Sequence, residues 1–279
     1  MRRILYILYQ VQAVFQMNAL PLAMGAVVAL AATACQKPHN SDINPTDVVS
    51  TSLCADSYLL AMPDIAPRLA ALSWQSRSAL SRAPAELRDL PQAGTDRETL
   101  MGWRPAQIIT GPGAIPLASS AKHLNWTESF EGVWDNFAAL SNALGSSDPS
   151  PDLQNRLGNI PAPSRPLRAL YLDRSGASAG PDTFVDAVFQ AAGVTNILTQ
   201  PGWQTLDTET LISLAPDVIV TSFMGSDYHG ANDRVVRQDA LAQKIANTPQ
   251  IDIPGAFWPC AGPGLVDAAE AISKELATL

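Results

Sequence analysis

Histidine is scarce in this chain of 279 residues: only His39, His123 and His229 occur. A binding site for bare zinc or manganese needs several His and carboxylate side chains at ligand distance, and three scattered histidines argue against one. Positive charge is also in short supply. Eighteen Lys and Arg stand against 26 Asp and Glu, the net charge is −8, and no basic stripe interrupts the acidic balance. Nucleic-acid binding requires clustered Lys and Arg to displace counterions, so that class is set aside. The signatures of common α/β enzymes are missing too: there is no G-x-S-x-G elbow, no Walker loop and no G-x-G-x-x-G after the first predicted strand. Gly111-Pro112-Gly113 follows a predicted strand but lacks a third glycine and a helix behind it. The chain therefore lacks the motifs on which an enzyme reading would rest, and an enzyme is not expected. The apolar run from Ala19 to Ala34 holds 16 residues, short of the roughly 20 that span a bilayer.

What is present begins with a globular composition, 47% hydrophobic with scattered Gly and Pro. Residues 1–35 have the layout of an export signal: Arg2 and Arg3, an apolar middle, then small residues before Cys35. Ala32-Thr33-Ala34-Cys35 fits two cleavages. One is a lipoprotein site at which Cys35 is lipidated and becomes the mature N-terminus, the reading favoured here. The other is an ordinary A-x-A site. Both place the mature protein outside the cytoplasm, with membrane association through a lipid anchor at most. Residues 36–46 are polar and irregular and read as a tether. Cys54 and Cys260 are expected to be two small buried apolar residues. A disulfide between them is chemically permitted in an exported chain, but their spacing does not show one.

The folded body opens at DVVSTSLCADSYLLAM. Val48 to Thr51 reads as a strand, Ser52 to Cys54 as a turn, and Asp56 to Met62 as a short helix stopped by Pro63. Further on, one phrase occurs twice. ETLMGWRPAQIITG starts at Glu98, and ETLISLAPDVIVTS starts at Glu209, 209 − 98 = 111 residues later. In each, apolar residues at helical spacing lead to a proline, Pro105 or Pro216, and then to a buried strand, Gln107 to Thr110 or Val218 to Val220. A helix delivering into a strand is half of an α/β unit, and the duplication predicts two α/β lobes, residues 47–125 and 165–279. The second opens with strand Leu167 to Leu172, a Gly/Ser-rich loop, and a helix from Thr183 to Ala192 closed by Gly193. Between the lobes, in residues 126–164, Trp126, Phe130, Val133, Trp134, Phe137, Leu140 and Leu144 step by three or four along one long amphipathic helix. Asn125 with Glu128 is expected to form a capping box, and Gly145 the C-terminal stop.

Four stretches, in order and at these spacings, resemble the solute-binding proteins of bacterial ABC importers for iron–siderophore, haem and cobalamin. They are DVVSTSLCADSYLLAM, Glu98 to Thr110, PDTFVDAVFQAAGVTNI and ETLISLAPDVIVTS. The resemblance implies an α/β fold of two Rossmann-like lobes joined by a single long bridging helix, with the ligand in the cleft between them. It implies delivery to an ABC permease dimer with its ATPase, through one exposed glutamate per lobe. Here those are Glu98 and Glu209, each seven residues before its proline. The alternatives are an exported α/β enzyme or a non-transporting sensor on the same scaffold. Between Gly111 and Asn125 only 15 residues remain where the family fits another helix and strand, so the first lobe is expected to be trimmed.

A metal chelate such as haem, cobalamin or a ferric siderophore is flat, partly apolar and partly charged. Its site favours aromatic faces with a few polar groups. Trp74, Trp203, Phe257 and Trp258 all fall in predicted loops and are the candidate ligand contacts, with Arg77 and Arg174 as candidate partners for an anionic group. No cofactor of the protein's own is expected beyond that ligand. His123 or His229 is a candidate axial ligand to a chelated metal.

Overall fold

A computed structural model describes residues 47–279 except 95, 115–120, 174, 223–242, 244 and 245. The elements of the first half are β1 (Val48–Ser50), α1 (Leu53–Leu60), β2 (Leu69–Ser73), β3 (Gln92–Ala93), α2 (Arg97–Trp103), β4 (Gln107–Thr110) and β5 (Ala121–His123). The strands form one sheet in the order β3-β2-β1-β4-β5, with every pair parallel. Two helices follow, α3 (Phe130–Leu144) and α4 (Ser150–Gly158). The second half contains β6 (Arg168–Asp173), β7 (Ala177–Ala179), α5 (Phe184–Ala191), β8 (Thr195–Asn196), β9 (Trp203–Thr205), α6 (Thr208–Ser213), β10 (Val218–Ser222), β11 (Gln250–Ile253) and α7 (Gly264–Leu276). Here β11-β10-β6-β8 make a second parallel sheet, and β7 pairs with β9 in a separate antiparallel ribbon.

Read from the opposite edge, β8-β6-β10-β11 repeats the order β2-β1-β4-β5. The duplicated phrase supplies α2 and β4 to the first sheet and α6 and β10 to the second, so the two copies serve equivalent places in different sheets. The start of each pairing is built alike. The Ala106 N–H donates to the Asp47 carbonyl at 3.1 Å, and the Asp217 N–H donates to that of Arg168 at 2.9 Å. A strand follows β4 after all, since β5 occupies part of the short interval before α3.

Side-chain alternation divides the core. Val48, Leu72 and Ile109 of the first sheet share one continuous core with Ala169, Tyr171, Val218 and Val220 of the second. Helices α1, α3, α5 and α7 contribute Tyr58, Phe137, Val188 and Leu265 to it. The opposite faces carry small cores of their own, with Leu100 of α2 over Val49 and Ile108 and Leu211 of α6 over Leu170 and Ile219. Both repeat helices thus lie on sheet faces away from the shared core.

Four local expectations are corrected. Helix α1 begins at Leu53, inside the expected turn, because the Ser52 hydroxyl accepts from the Ala55 N–H at 3.1 Å and caps it there. Helix α3 begins at Phe130, not Trp126, because Ser129 is its N-cap and accepts from the Gly132 N–H. No capping box forms: Asn125 instead exchanges two backbone hydrogen bonds with the buried Asn136 amide. The C-terminal stop is as expected, with Gly145 in the left-handed conformation at φ 60°. Finally, Cys54 and Cys260 are bonded to each other, with Cα atoms 5.4 Å apart. Segment Pro259–Ala261 packs on α1, where the Tyr58 hydroxyl donates to the Ala261 carbonyl at 3.2 Å. Cys54 lies one turn before Tyr58 and so reaches the same segment. Tertiary packing, not spacing along the chain, makes the pair.

Candidate functional site

At one end of the second sheet four rings meet. Tyr171 comes from β6, Phe184 from the first turn of α5, Trp203 from β9, and Trp258 from the segment after β11. Trp258 lies 5.5 Å from Tyr171 and 6.4 Å from Phe184 between centroids, while Trp203 lies 6.2 Å and 5.0 Å from the same two rings. Trp258 is 4% exposed and closes the floor, and Trp203 is 45% exposed and forms the outer layer. Burial pushes the Tyr171 phenol well above its ordinary range, so it is a neutral part of the floor.

Glu128 ties this cluster to the start of α3. Its Oε1 accepts from the indole N–H of Trp126 at 2.9 Å and from that of Trp203 at 3.2 Å. Its Oε2 accepts from the Phe184 N–H at 3.0 Å, the first backbone donor of α5. One carboxylate therefore holds two indoles and caps a helix. With their only polar groups engaged, Trp126 and Trp203 remain 58% and 45% exposed. Aromatic faces with fixed edges and open surfaces suit a large flat ligand. Strand β9 is held in place by the ribbon: the Gly180 N–H donates to the Gly202 carbonyl at 3.0 Å, and the Gly202 N–H to that of Pro181 at 2.8 Å. A side chain at Gly180 would put its Cβ 1.9 Å from the Gln200 carbonyl oxygen, which is why glycine stands there.

The remaining candidates divide. Trp203 lies in a short strand and not a loop. Trp258 is buried floor instead of an open loop aromatic. Phe257 is half-buried in the 3-10 turn Gly255–Phe257, with the Arg82 guanidinium 5.2 Å above its ring. Trp74 follows β2 and is 65% exposed. Its backbone is fixed by bonds to Ala93 and Gln92, and it makes no ring contact with the cluster. Arg77 is exposed and donates its Nε–H to the Arg88 carbonyl at 2.9 Å. His123 is exposed at the end of β5. Cys35, His39, Arg174 and His229 lie outside the described residues, as do residues 1–46, which are expected to be an export signal and tether. Sequence reasoning missed Trp126 and Glu128, which it absorbed into the helix. Ser129 directly before the apolar repeat was the signal that would have placed them outside it.

Glu98 and Glu209 occupy matched settings. In α2 the Asp96 carboxylate caps the helix by accepting from the Thr99 N–H at 3.0 Å. In α6 Asp207 accepts from the Thr210 N–H at 2.8 Å, and that bond holds the Asp207 carboxyl below its usual range. Both glutamates are exposed in the first turn, while Leu100 and Leu211 two positions on are buried. Among the described residues no helix is long and apolar enough to cross a membrane.

No protein-family model matches the sequence, and no curated protein matches it. Solved structures do match in fold. The periplasmic heme binding protein HutB of Vibrio cholerae superposes with a TM-score of 0.65 at 20% identity, over 84% of this chain and 99% of that one. A periplasmic heme binding protein from Pseudomonas aeruginosa gives 0.61 at 21% identity, over 84% and 94%. The periplasmic vitamin B12 binding protein BtuF of Vibrio cholerae gives 0.56 at 18% identity, over 84% and 97%. With its parallel sheets and its duplicated α–Pro–β segment, the chain shares the mixed α/β fold of these periplasmic solute-binding proteins.

Proposed function

We propose that this protein is the non-catalytic solute-binding component of an ABC importer, exported from the cytoplasm, that captures a metal chelate between two lobes and delivers it to a permease. In this reading the two sheets are the cores of the lobes, α3 is the strut between them, and the open indole faces of Trp126 and Trp203, with Trp74 on the first sheet, receive the chelate. Haem and cobalamin are the leading ligand classes, because proteins of like fold bind heme and vitamin B12; a ferric siderophore is the third. Glu98 and Glu209 are the docking carboxylates, and Arg–carboxylate pairs at two separated points define orientation as well as position. The observation that carries the reading is the matched setting of the two phrases, one exposed glutamate per sheet on equivalent helices. The continuous core shared by both sheets and the Cys54–Cys260 bond support capture with little hinge motion.

The test is a tryptophan-fluorescence titration of the mature protein with haemin, cobalamin and a ferric siderophore panel. Saturable binding of one class is expected, with affinity unchanged by Glu98→Lys with Glu209→Lys. Failure of every chelate to bind, or turnover of any of them, overturns the proposal.

A further inference from the structure

The repeat carries one more matched pair. Three residues after each glutamate, on the same helix face, stands a large apolar side chain left open to solvent: Met101 at 57% exposure and Ile212 at 44%. Exposed apolar residues of this size are few among the described residues; the others are Trp74, Trp126, Trp203 and the terminal Leu279. Neither Met101 nor Ile212 is needed by its helix, because Leu100 and Leu211 anchor α2 and α6 to their sheets. An exposed apolar side chain is unremarkable alone. Two at corresponding places of separate sheets, each one turn from an exposed carboxylate, make the same composite patch twice.

We infer that each patch is a two-part docking contact, Glu98 with Met101 and Glu209 with Ile212, and that the partner is a membrane permease whose two subunits each offer a cation beside an apolar hollow. Charge complementarity fixes the cation. Duplication fixes the pair, since two like patches on two like halves fit a partner that presents two like surfaces. A second copy of this chain is the poorer occupant: it would bring acidic patches together on molecules that already carry a net charge of −8. The division of labour follows from physics. Carboxylates steer and orient at long range, and the apolar side chains add attraction that salt does not screen, once water is excluded. The inference builds on the importer reading.

Photo-crosslinking in the source cells tests it. A benzophenone amino acid is placed singly at 98, 101, 209 and 212, with exposed Ala138 of α3 as the control position. Adducts to multi-spanning importer subunits are expected from all four sites and not from 138. Once that complex is in nanodiscs, Met101→Ala and Ile212→Ala should each weaken binding roughly tenfold with chelate affinity and far-UV circular dichroism unchanged. Adducts from 98 and 209 with none from 101 and 212, or truncations without effect, overturn the apolar contact and leave the importer reading standing. Adducts to a second copy of the chain overturn the permease as occupant. No importer adduct from any position overturns both.

Discussion

Cys54 of α1 and Cys260, 206 residues further along, are covalently joined, so the first element after β1 is bonded to the segment after β11. The link closes most of the chain into one loop and fits an oxidising compartment. Replacing both cysteines by alanine, or reducing the bond, is expected to cost about 2–5 kcal/mol of unfolding free energy. Urea denaturation with and without reductant measures this. Peptide mapping without reduction should recover the Cys54 and Cys260 peptides as one species. Equal stability of the oxidised and reduced protein would contradict the expectation.

Asp56 is a second contact that the fold depends on. Its buried carboxylate accepts from the Ser73 N–H at 2.9 Å and from the Ser73 hydroxyl at 2.5 Å, tying α1 to the end of β2 where Trp74 begins. Burial raises its pKa, against hydrogen bonds from Ser50 and Ser73 that lower it. A carboxyl raised in the folded state contributes stability that is complete below the unfolded pKa and lost as pH climbs through the folded one. Wild type should therefore lose stability relative to Asp56→Asn as pH rises from about 4 toward neutrality. Asp56→Ala should cost about 1–3 kcal/mol at all pH values, because it strands the buried Ser73 N–H. Denaturation midpoints across that pH range read both effects, and a wild type that gains on the asparagine variant would reverse the assignment.

The local signals in the sequence carried most of the secondary structure. The two α–Pro–β segments, β6, α5 and the stripe from Phe130 to Leu144 all lie where periodicity puts them, with Thr183 serving as the N-cap of α5 and not as its first residue. What periodicity does not encode is long-range proximity. The Cys54–Cys260 bond arises from packing of α1 on a distant turn, and Glu128 meets Trp203 75 residues away. Trp126 is the instructive miss. Its position four residues before Phe130 extends the apolar stripe, but Ser129 stops the helix first and turns the indole out to solvent. Burial of Trp258 was equally hidden, since a loop aromatic gives no periodic signal of which way it faces.

Glycine at 180 and glycine at 158 should respond oppositely to alanine. At Gly180 the new methyl would meet the Gln200 backbone and the Gln204 amide, 1.9 Å and 3.1 Å away. The ribbon that holds Trp203 must then shift. Gly180→Ala is expected to destabilise by about 3 kcal/mol and to change Trp203 emission. At Gly158, the last residue of α4, nothing lies within 4 Å of the added carbon. Gly158→Ala should be neutral or stabilise by about 0.5 kcal/mol through helix propensity. Thermal melts of the two variants, side by side with wild type, separate a steric requirement from mere preference.

Glu128 gives the sharpest test of the proposed ligand platform. Its removal frees the Phe184 N–H and releases both indoles, so Glu128→Ala should cost about 1–2 kcal/mol and alter tryptophan emission. Glu128→Gln keeps one acceptor oxygen and should fall between. If the open ring faces are what a chelate meets, Trp126→Phe retains most of the affinity while Trp126→Ala and Trp203→Ala lose it, because phenylalanine supplies a face without the N–H. Glu128→Ala should then weaken binding through disorder of the two rings, although the carboxylate itself has its acceptor sites occupied. Titrations of the four variants decide the matter. An affinity that follows the carboxylate and ignores the rings would mean that Glu128 meets the ligand directly and that the indoles only support it.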